Sequence, residues 1–209
     1  MRAGREERSG VGMTAIPASQ EGATASTPTD RLFLAILPGP GVAADMQALA
    51  VSLFERHQVE ARAMEVARLH MTLHFLGDFT GVPAGLLAGA GRALDPIETA
   101  CFDVVLDRAL SFDGDRRRRP WVLSGSGPGT VALRALHAET GRKLAAEGVA
   151  VQGGQPFRPH VTLGYARIGL PASAVDPCVM HVHEIALVRS HIGRARHEVL
   201  MRWKLRPRS

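Results

Sequence analysis

One short pattern, histidine–apolar–threonine–leucine, occurs twice in this chain, at His70–Leu73 and again at His160–Leu163. Each copy lies in a run of apolar and β-branched residues bounded by Gly or Pro, a pattern that predicts a buried strand. Side chains two residues apart on a strand point to the same face, so each histidine shares its face with Thr72 or Thr162. The sequence therefore predicts two imidazoles, each with a hydroxyl beside it.

The residues between these polar positions predict how the strands pack. Met71, Leu73 and Phe75 are expected behind the first histidine, and Val161 and Leu163 in the core behind the second. The polar faces would then meet in one site assembled from two strands.

Such a site suits the hydrolysis of a strained cyclic phosphodiester. Histidine, with an ordinary pKa of about 6.5, acts as an acid or a base near neutral pH. Two histidines on opposite sides of one phosphorus permit in-line displacement, one activating water and the other protonating the leaving oxygen. The hydroxyls can donate hydrogen bonds to the non-bridging oxygens. This chemistry requires neither a metal nor a cofactor.

The surrounding sequence predicts the elements that position these residues. Helical periodicity is expected over 42–54, 82–94 and 130–148, the last with Thr130 as its N-cap and Gly148 as its stop. Strands are expected at 31–37, at both motifs, and at 101–110, 121–123, 181–188 and 198–205, with a turn over 171–177. Both motif strands follow a helix, as in a duplicated unit. The predicted fold is α+β and bilobal, with two antiparallel sheets facing each other across a central groove, helices outside, and pseudo-twofold symmetry.

Composition limits the class of protein. The net charge of +5 and the sequence pI near 10.2 favour anionic partners such as nucleic acid. Residues 1–30 contain few large apolar side chains and are predicted to be a disordered extension before one domain over 31–209.

Cys101 and Cys178 are too few for a disulfide framework. No apolar run reaches the roughly 20 residues of a membrane helix, and the N-terminus lacks the apolar region of a secretory signal, so a cytoplasmic location is expected. The protein is also expected to be a monomer.

With these motifs and their flanks, the chain resembles the two-histidine phosphoesterases. Within them it is most similar to the bacterial and archaeal RNA 2′,3′-cyclic phosphodiesterases, historically called 2′-5′ RNA ligases. The matching segments run in the family's order from residue 31 to about 205. They are Arg31-Leu32-Phe33, Leu69-His70-Met71-Thr72-Leu73 with Phe75-Leu76-Gly77, Pro120-Trp121-Val122-Leu123, Phe157-Arg158-Pro159-His160-Val161-Thr162-Leu163 and Arg202-Trp203-Lys204-Leu205.

The resemblance implies roles for the motif residues. His70 would be the proton donor to the leaving 3′ oxygen, and His160 the proton acceptor that activates water. Thr72 and Thr162 would hold the phosphate. The implied substrate is RNA with a 2′,3′-cyclic phosphate end, tRNA fragments or cyclic nucleotides among the candidates, and the implied product is a 2′-phosphomonoester.

One position departs from the family's pattern. Many relatives place an arginine five residues after the second histidine, where this chain has Tyr165. Arg158 and Arg167 are the candidates to supply the missing positive charge at the phosphate. The basic run at 116–119 either grips RNA phosphates or is a solvated loop.

Three other functions fit parts of the pattern. ATP-independent 2′-5′ ligation is the same chemistry in reverse, with an RNA 5′-hydroxyl in place of water. An RNA-binding module without turnover would need basic groups rather than a matched acid–base pair. A metal-dependent phosphatase would draw on His74, His181 and His183, although His74 is better explained as a solvated or pocket-edge residue.

Overall fold

The computed structural model describes residues 27–112, 117–154 and 156–208. Most of the predicted N-terminal extension, and Arg116 of the basic run, lie outside these ranges. The elements in chain order are β1 (Asp30–Ile36), α1 (Pro40–Arg56), a 3-10 turn (Val66–Arg68), β2 (Met71–Phe79), α2 (Ala84–Leu94), β3 (Phe102–Ser111), β4 (Arg119–Ser124), α3 (Pro128–Ala146), β5 (Val161–Ala166), β6 (Ser173–Val182), β7 (Glu184–His191) and β8 (Arg196–Lys204).

The strands form two four-stranded antiparallel sheets, which confirms the predicted α+β architecture. One sheet has the order β2-β1-β7-β8 and the other the order β5-β4-β3-β6. Each motif strand, β2 or β5, therefore lies at the edge of its own sheet. No helix in the described ranges is long and apolar enough to span a membrane.

The C-terminal part of the chain contains one strand more than the sequence predicted. The stretch from Pro171 to Pro177 was expected to be a turn, but β6 begins at Ser173 and includes Pro177. A proline is tolerated there because β6 is an edge strand and Pro177 falls where its pairing with β3 is interrupted, between the Leu106–Cys178 and Arg108–Ala174 pairs. The predicted strand over 181–188 is in fact the end of β6 and the start of β7, separated at His183.

Strand β1 is buried on both faces, which explains its continuous apolar sequence. Leu32, Leu34 and Ile36 point into the main core. Phe33 and Ala35 point to the opposite face, where they pack with Ala186, Val188 and Leu37 in a second small cluster. This second cluster supports the residues of the first motif.

Helix α3 begins slightly before its predicted start. Its N-cap is Gly127, and Thr130 lies in the first turn, where its hydroxyl donates to the carbonyl oxygen of Gly127 at 2.6 Å. The predicted cap at Thr130 is therefore wrong, because Pro128 already occupies a first-turn position that suits its fixed φ. The helix packs on β3 and also contacts β2, whereas α1 packs on β5 and β6.

The outer edge of each motif strand is covered by a short extended segment. The Met64 N–H donates to the carbonyl oxygen of Leu163, and the Gln152 N–H donates to that of Phe75, both at 2.7 Å. Gly164 permits the first contact, since a Cβ there would lie 2.7 Å from the carbonyl oxygen of Arg62. These contacts pair the two edges in equivalent ways.

Asp30 anchors the start of β1, one residue before the predicted domain boundary. The carboxylate is almost fully buried and accepts hydrogen bonds from Arg189 Nε at 2.6 Å, the Thr29 hydroxyl at 2.6 Å and the Gly81 N–H at 3.1 Å. The bond from Arg189, followed by that from Thr29, lowers the Asp30 pKa to about 2. The ionised carboxylate thus connects β1, β7 and the turn after β2.

We expect Asp30→Asn to lower the free energy of unfolding at pH 7, because the amide cannot replace a buried carboxylate facing Arg189. The folded pKa lies below the unfolded value of about 3.9, so this contribution is present above roughly pH 4 and is lost as the pH falls towards 2. Denaturant unfolding of both proteins from pH 7 to pH 3 measures the difference, which should shrink on acidification. Glu98→Gln, which removes an exposed pair with Arg206, is the control and should change little. A difference independent of pH would contradict the assignment.

Candidate active site

The two motif histidines are held by the same local hydrogen bond. Nδ1 of His70 lies 2.7 Å from the carbonyl oxygen of Arg68, and Nδ1 of His160 lies 2.6 Å from that of Arg158. A carbonyl oxygen only accepts, so Nδ1 carries a proton in both rings. Nε2 is then the nitrogen that gains and loses protons in each imidazole. Each histidine lies immediately before its strand, which fixes the direction of the ring.

Both predicted histidine–threonine pairs line one cavity of about 330 Å³. The structure therefore brings His70, Thr72, His160 and Thr162 together, as the sequence predicted. The rest of the lining consists of Arg31, Phe33, Met64, Arg68, Phe75, Tyr165, Ser190 and His197. One strand from each sheet contributes a pair, so the cavity lies between the two sheets.

Burial is the main cause that lowers the pKa of both motif histidines. For His70, positive charge on His160 and Arg68 lowers the pKa further, against the opposing effect of the bond to the Arg68 carbonyl. For His160 burial is opposed by the bond to the Arg158 carbonyl. Both imidazoles are therefore biased towards the neutral form when the cavity holds no anion.

Aromatic rings support His70. Phe33, from the small cluster on β1, stacks on it with a centroid distance of 4.6 Å and an interplanar angle of 28°. His197 of β8 packs edge-on at 5.2 Å. Burial, and then the charge of His70, lower the pKa of His197 to about 4, so this third histidine is neutral in the working range.

A bulge in β2 places His74 and Phe75 on the faces opposite to those that the sequence predicted. Leu34 pairs with His74 and Ala35 with Thr72, so Leu73 is an extra residue in the register. Phe75 consequently lines the cavity instead of packing behind it. His74 is buried rather than solvated. Alternation alone could not reveal this extra residue.

His74 belongs to a stack of rings between β2 and α3. Its Nε2–H donates to the His137 carbonyl and the Thr140 hydroxyl, at 3.0 and 2.9 Å, and burial lowers its pKa to about 4. The His137 ring stacks on His74 at 4.2 Å and on Phe157 at 4.1 Å. This stack lines a larger cavity of about 980 Å³ that shares Thr72, Phe75 and His160 with the smaller one.

The two arginines suggested by the sequence occupy different places. Arg158 is exposed, lines the larger cavity, and lies 5.7 Å above the Phe112 ring. Arg167 is exposed just beyond β5 and lines neither cavity. Tyr165 does line the smaller cavity, and Arg118 of the basic run stacks on it at 4.4 Å.

The other histidines considered for a metal site lie elsewhere. His181 and His183 are exposed and stack on each other at 5.6 Å, and His181 Nδ1 bonds to Asp103 at 2.7 Å. Within the described ranges, no three His, Cys, Asp or Glu residues are placed to hold a metal ion.

Sequence reasoning missed several residues of the cavities. Arg31 forms two 2.8 Å hydrogen bonds to Asp78 at the cavity rim, and Phe112 packs edge-on to His160 at 4.8 Å. Arg68 could have been found, since Arg68 and Arg158 both stand two positions before a motif histidine. His197 has no local signal, because only the pairing of β7 with β8 brings it to His70.

Comparison with known proteins agrees with this geometry. The sequence model described as the 2′-5′ RNA ligase superfamily matches residues 38–194, about three-quarters of the chain. Comparison with curated proteins found no match.

Three solved structures illustrate the similarity of fold. A phosphoesterase crystal structure has a TM-score of 0.66 at 26% identity and covers 86% of this chain and 99% of its own. E. coli LigT complexed with 3′-AMP has a TM-score of 0.63 at 27% identity, with coverage of 86% and 99%. The protein TT0787 of Thermus thermophilus has a TM-score of 0.63 at 25% identity, with coverage of 86% and 100%. The match over most of the sequence, with this fold, shows that the chain belongs to the 2′-5′ RNA ligase superfamily of two-histidine phosphoesterases.

Proposed function

We propose that this protein hydrolyses RNA 2′,3′-cyclic phosphate ends to 2′-phosphomonoesters by acid–base catalysis between His70 and His160. The observation that carries the proposal is the matched orientation of the two imidazoles. Each donates Nδ1–H to a backbone carbonyl, and both line one cavity together with Thr72 and Thr162. Such a pair can accept one proton and donate another around a single phosphorus.

In this reaction His160 Nε2 takes a proton from water, and the water oxygen forms a bond to phosphorus. The bond from phosphorus to the 3′ oxygen breaks, and His70 Nε2 donates its proton to that oxygen. The products are a 3′-hydroxyl and a 2′-phosphate. The hydroxyls of Thr72 and Thr162 donate hydrogen bonds to the non-bridging oxygens, whose negative charge grows in the transition state.

The surroundings of the two histidines support this division of roles. Burial is the largest cause that lowers the pKa of both histidines, and the fixed positive charge of Arg68 lowers that of His70 further, which makes a protonated His70 a stronger acid. A stronger acid is the better donor to a leaving alkoxide. Protonated His70 is disfavoured in the free protein, and the bound phosphodiester anion supplies the negative charge that favours it.

The larger cavity suits the nucleoside that carries the cyclic phosphate. Its volume of about 980 Å³ lies in the range of small-molecule sites, and it meets the smaller cavity at Thr72, Phe75 and His160. Phe112 presents an aromatic surface there, next to His160 and below Arg158. Aromatic rings stack on bases without needing a particular sequence. A pocket beside the phosphate site favours a nucleotide substrate over a simple phosphate ester.

Ligation remains the second candidate function, because the same two histidines would act in reverse with an RNA 5′-hydroxyl as the nucleophile. It requires room for a second strand end next to the phosphate. The large open cavity beside His160 is the observation that favours it.

We expect His70→Ala and His160→Ala each to lower the rate of hydrolysis by about 10²- to 10⁴-fold, the usual contribution of general acid–base catalysis. The assay uses an oligoribonucleotide with a 2′,3′-cyclic phosphate end and excess EDTA, and it identifies the position of the phosphate in the product. The expected product is a 2′-phosphate, formed without added metal.

His183→Ala is the matched control. Its Nδ1 bonds to the carbonyl two residues earlier, at 3.1 Å, in the same local geometry, but His183 is exposed and lines neither cavity. The variant should keep full activity. Wild-type protein that binds RNA without turnover would favour the binding module, and inhibition by EDTA would favour a metal-dependent phosphatase. Joining to an added 5′-hydroxyl RNA would establish ligation.

The pH dependence of kcat/KM is expected to be bell-shaped, with two apparent pKa values that belong to the pair of histidines. Both lie below the ordinary value of 6.5, because burial lowers the pKa of His70 and of His160 in the free protein. Activity should therefore fall on the alkaline side with a midpoint below about 6.5. The pH profile of kcat should be shifted to higher pH than that of kcat/KM, since the bound anion raises the pKa values of both histidines. A kcat/KM that rises steadily to pH 8 would exclude this pair as the acid and base.

Phe112→Ala should raise KM for a nucleoside 2′,3′-cyclic phosphate about tenfold, because one base–aromatic contact is worth roughly 1–3 kcal/mol. Phe112→Tyr keeps the ring and should bind like the wild type. Steady-state kinetics with a cyclic mononucleotide provide the measurement. An unchanged KM in the alanine variant would place the base elsewhere.

A further inference from the structure

Arg68 is a cation in the catalytic cavity that has no counter-ion in the described part of the chain. The residue is half-buried in the 3-10 turn before β2 and lines the cavity with both motif histidines. Its Nε atom is fully covered and makes no hydrogen bond within the described residues. A covered guanidinium N–H without a carboxylate or a carbonyl partner is costly, and an anion that bonds to it removes that cost.

The other arginines near the two motifs do not combine a covered, unpaired guanidinium atom with a place in the histidine cavity. Arg31 is neutralised by a two-bond contact with the Asp78 carboxylate. Arg158 is exposed and lies over Phe112, and Arg167 lines neither cavity. Arg118 rests on the exposed Tyr165 ring. Arg119 also has a covered Nε atom without a hydrogen bond, but it lines neither cavity. Of these six arginines, only Arg68 combines partial burial, a place in the histidine cavity and the lack of a polar side-chain partner.

Resting on the proposed function, we infer that Arg68 is the residue that binds and neutralises the phosphate of the substrate in this chain. It takes the place of the arginine that the sequence lacks at position 165. The Arg68 guanidinium approaches the phosphate from the segment before β2, on the His70 side of the cavity, rather than from β5.

The groups around His70 are consistent with this assignment. The titratable and charged residues that line its cavity are Arg31, Arg68, His160, Tyr165 and His197. Arg31 is paired with Asp78, and His197 is neutral because its pKa is about 4. Arg68 is therefore a fixed positive charge that lowers the pKa of His70 further than burial alone, and the same charge attracts the anion on which His70 acts.

The test measures binding of inorganic phosphate by titration calorimetry, independently of turnover. Arg68→Gln should weaken phosphate binding on the order of tenfold to a hundredfold, and Arg68→Lys should recover part of it, since lysine keeps the charge but not the planar fork. Arg62→Gln removes an exposed arginine from the same connection and should bind like the wild type. Arg158→Gln should have a smaller effect than Arg68→Gln.

A second readout separates charge from a merely structural role. NMR titration of the histidine rings should show a higher pKa for His70 in free Arg68→Gln than in free wild type, because a neighbouring positive charge has been removed. Lack of phosphate binding by the wild type, equal binding by Arg68→Gln, or a loss confined to Arg158→Gln would overturn the inference. Failure to hydrolyse a cyclic phosphate while Arg68-dependent phosphate binding persists would instead overturn the proposed reaction and keep the anion site.

Discussion

The hydrogen bond from each motif histidine to the carbonyl two residues earlier is the constraint on which the site depends. It assigns the proton to Nδ1 and leaves Nε2 available in both rings, so the two imidazoles are equivalent in tautomer. A free imidazole would populate both tautomers, and a pair would then be competent only part of the time. Because the bond is local, two separate strands can each provide an oriented ring.

The local bonds would be of little use if the strands could shift. Both motif strands are edge strands, and the N–H and C=O groups on the free side of such a strand have no partner within the sheet. Here the segments around Met64 and Gln152 bond to these free sides at 2.7 Å. Asp30 fixes the start of the neighbouring strand β1 through Arg189 and Gly81. The positions of the two motif strands are thus fixed by backbone contacts of segments that also line the cavities, and by the anchor at Asp30.

The sequence predicted the architecture well, because burial periodicity and the two repeated motifs are local signals. It located three helices, the two antiparallel sheets and the four residues of the histidine–threonine pairs. It failed where the pairing of strands decides the outcome. The bulge at Leu73 turned Phe75 towards the cavity, and the edge position of β6 allowed Pro177 within a strand. His197 reaches His70 only through the register of β7 and β8, which no local pattern encodes.

The balance of charge in the cavity connects the proposed binding of an anion with the proposed catalysis. In the smaller cavity Arg31 is offset by Asp78, and Arg68 has no such partner among the described residues. Without an anion, burial and, to a smaller extent, this charge lower the pKa of His70 and so favour its neutral form. In the proposed reaction, an arriving phosphodiester would pair with the guanidinium and at the same time favour the protonated form of His70, so the charge of the substrate would help to form the proposed acid. A neutral ligand of similar shape would leave the Arg68 guanidinium without a partner, so the proposed site would select its substrate by charge before shape.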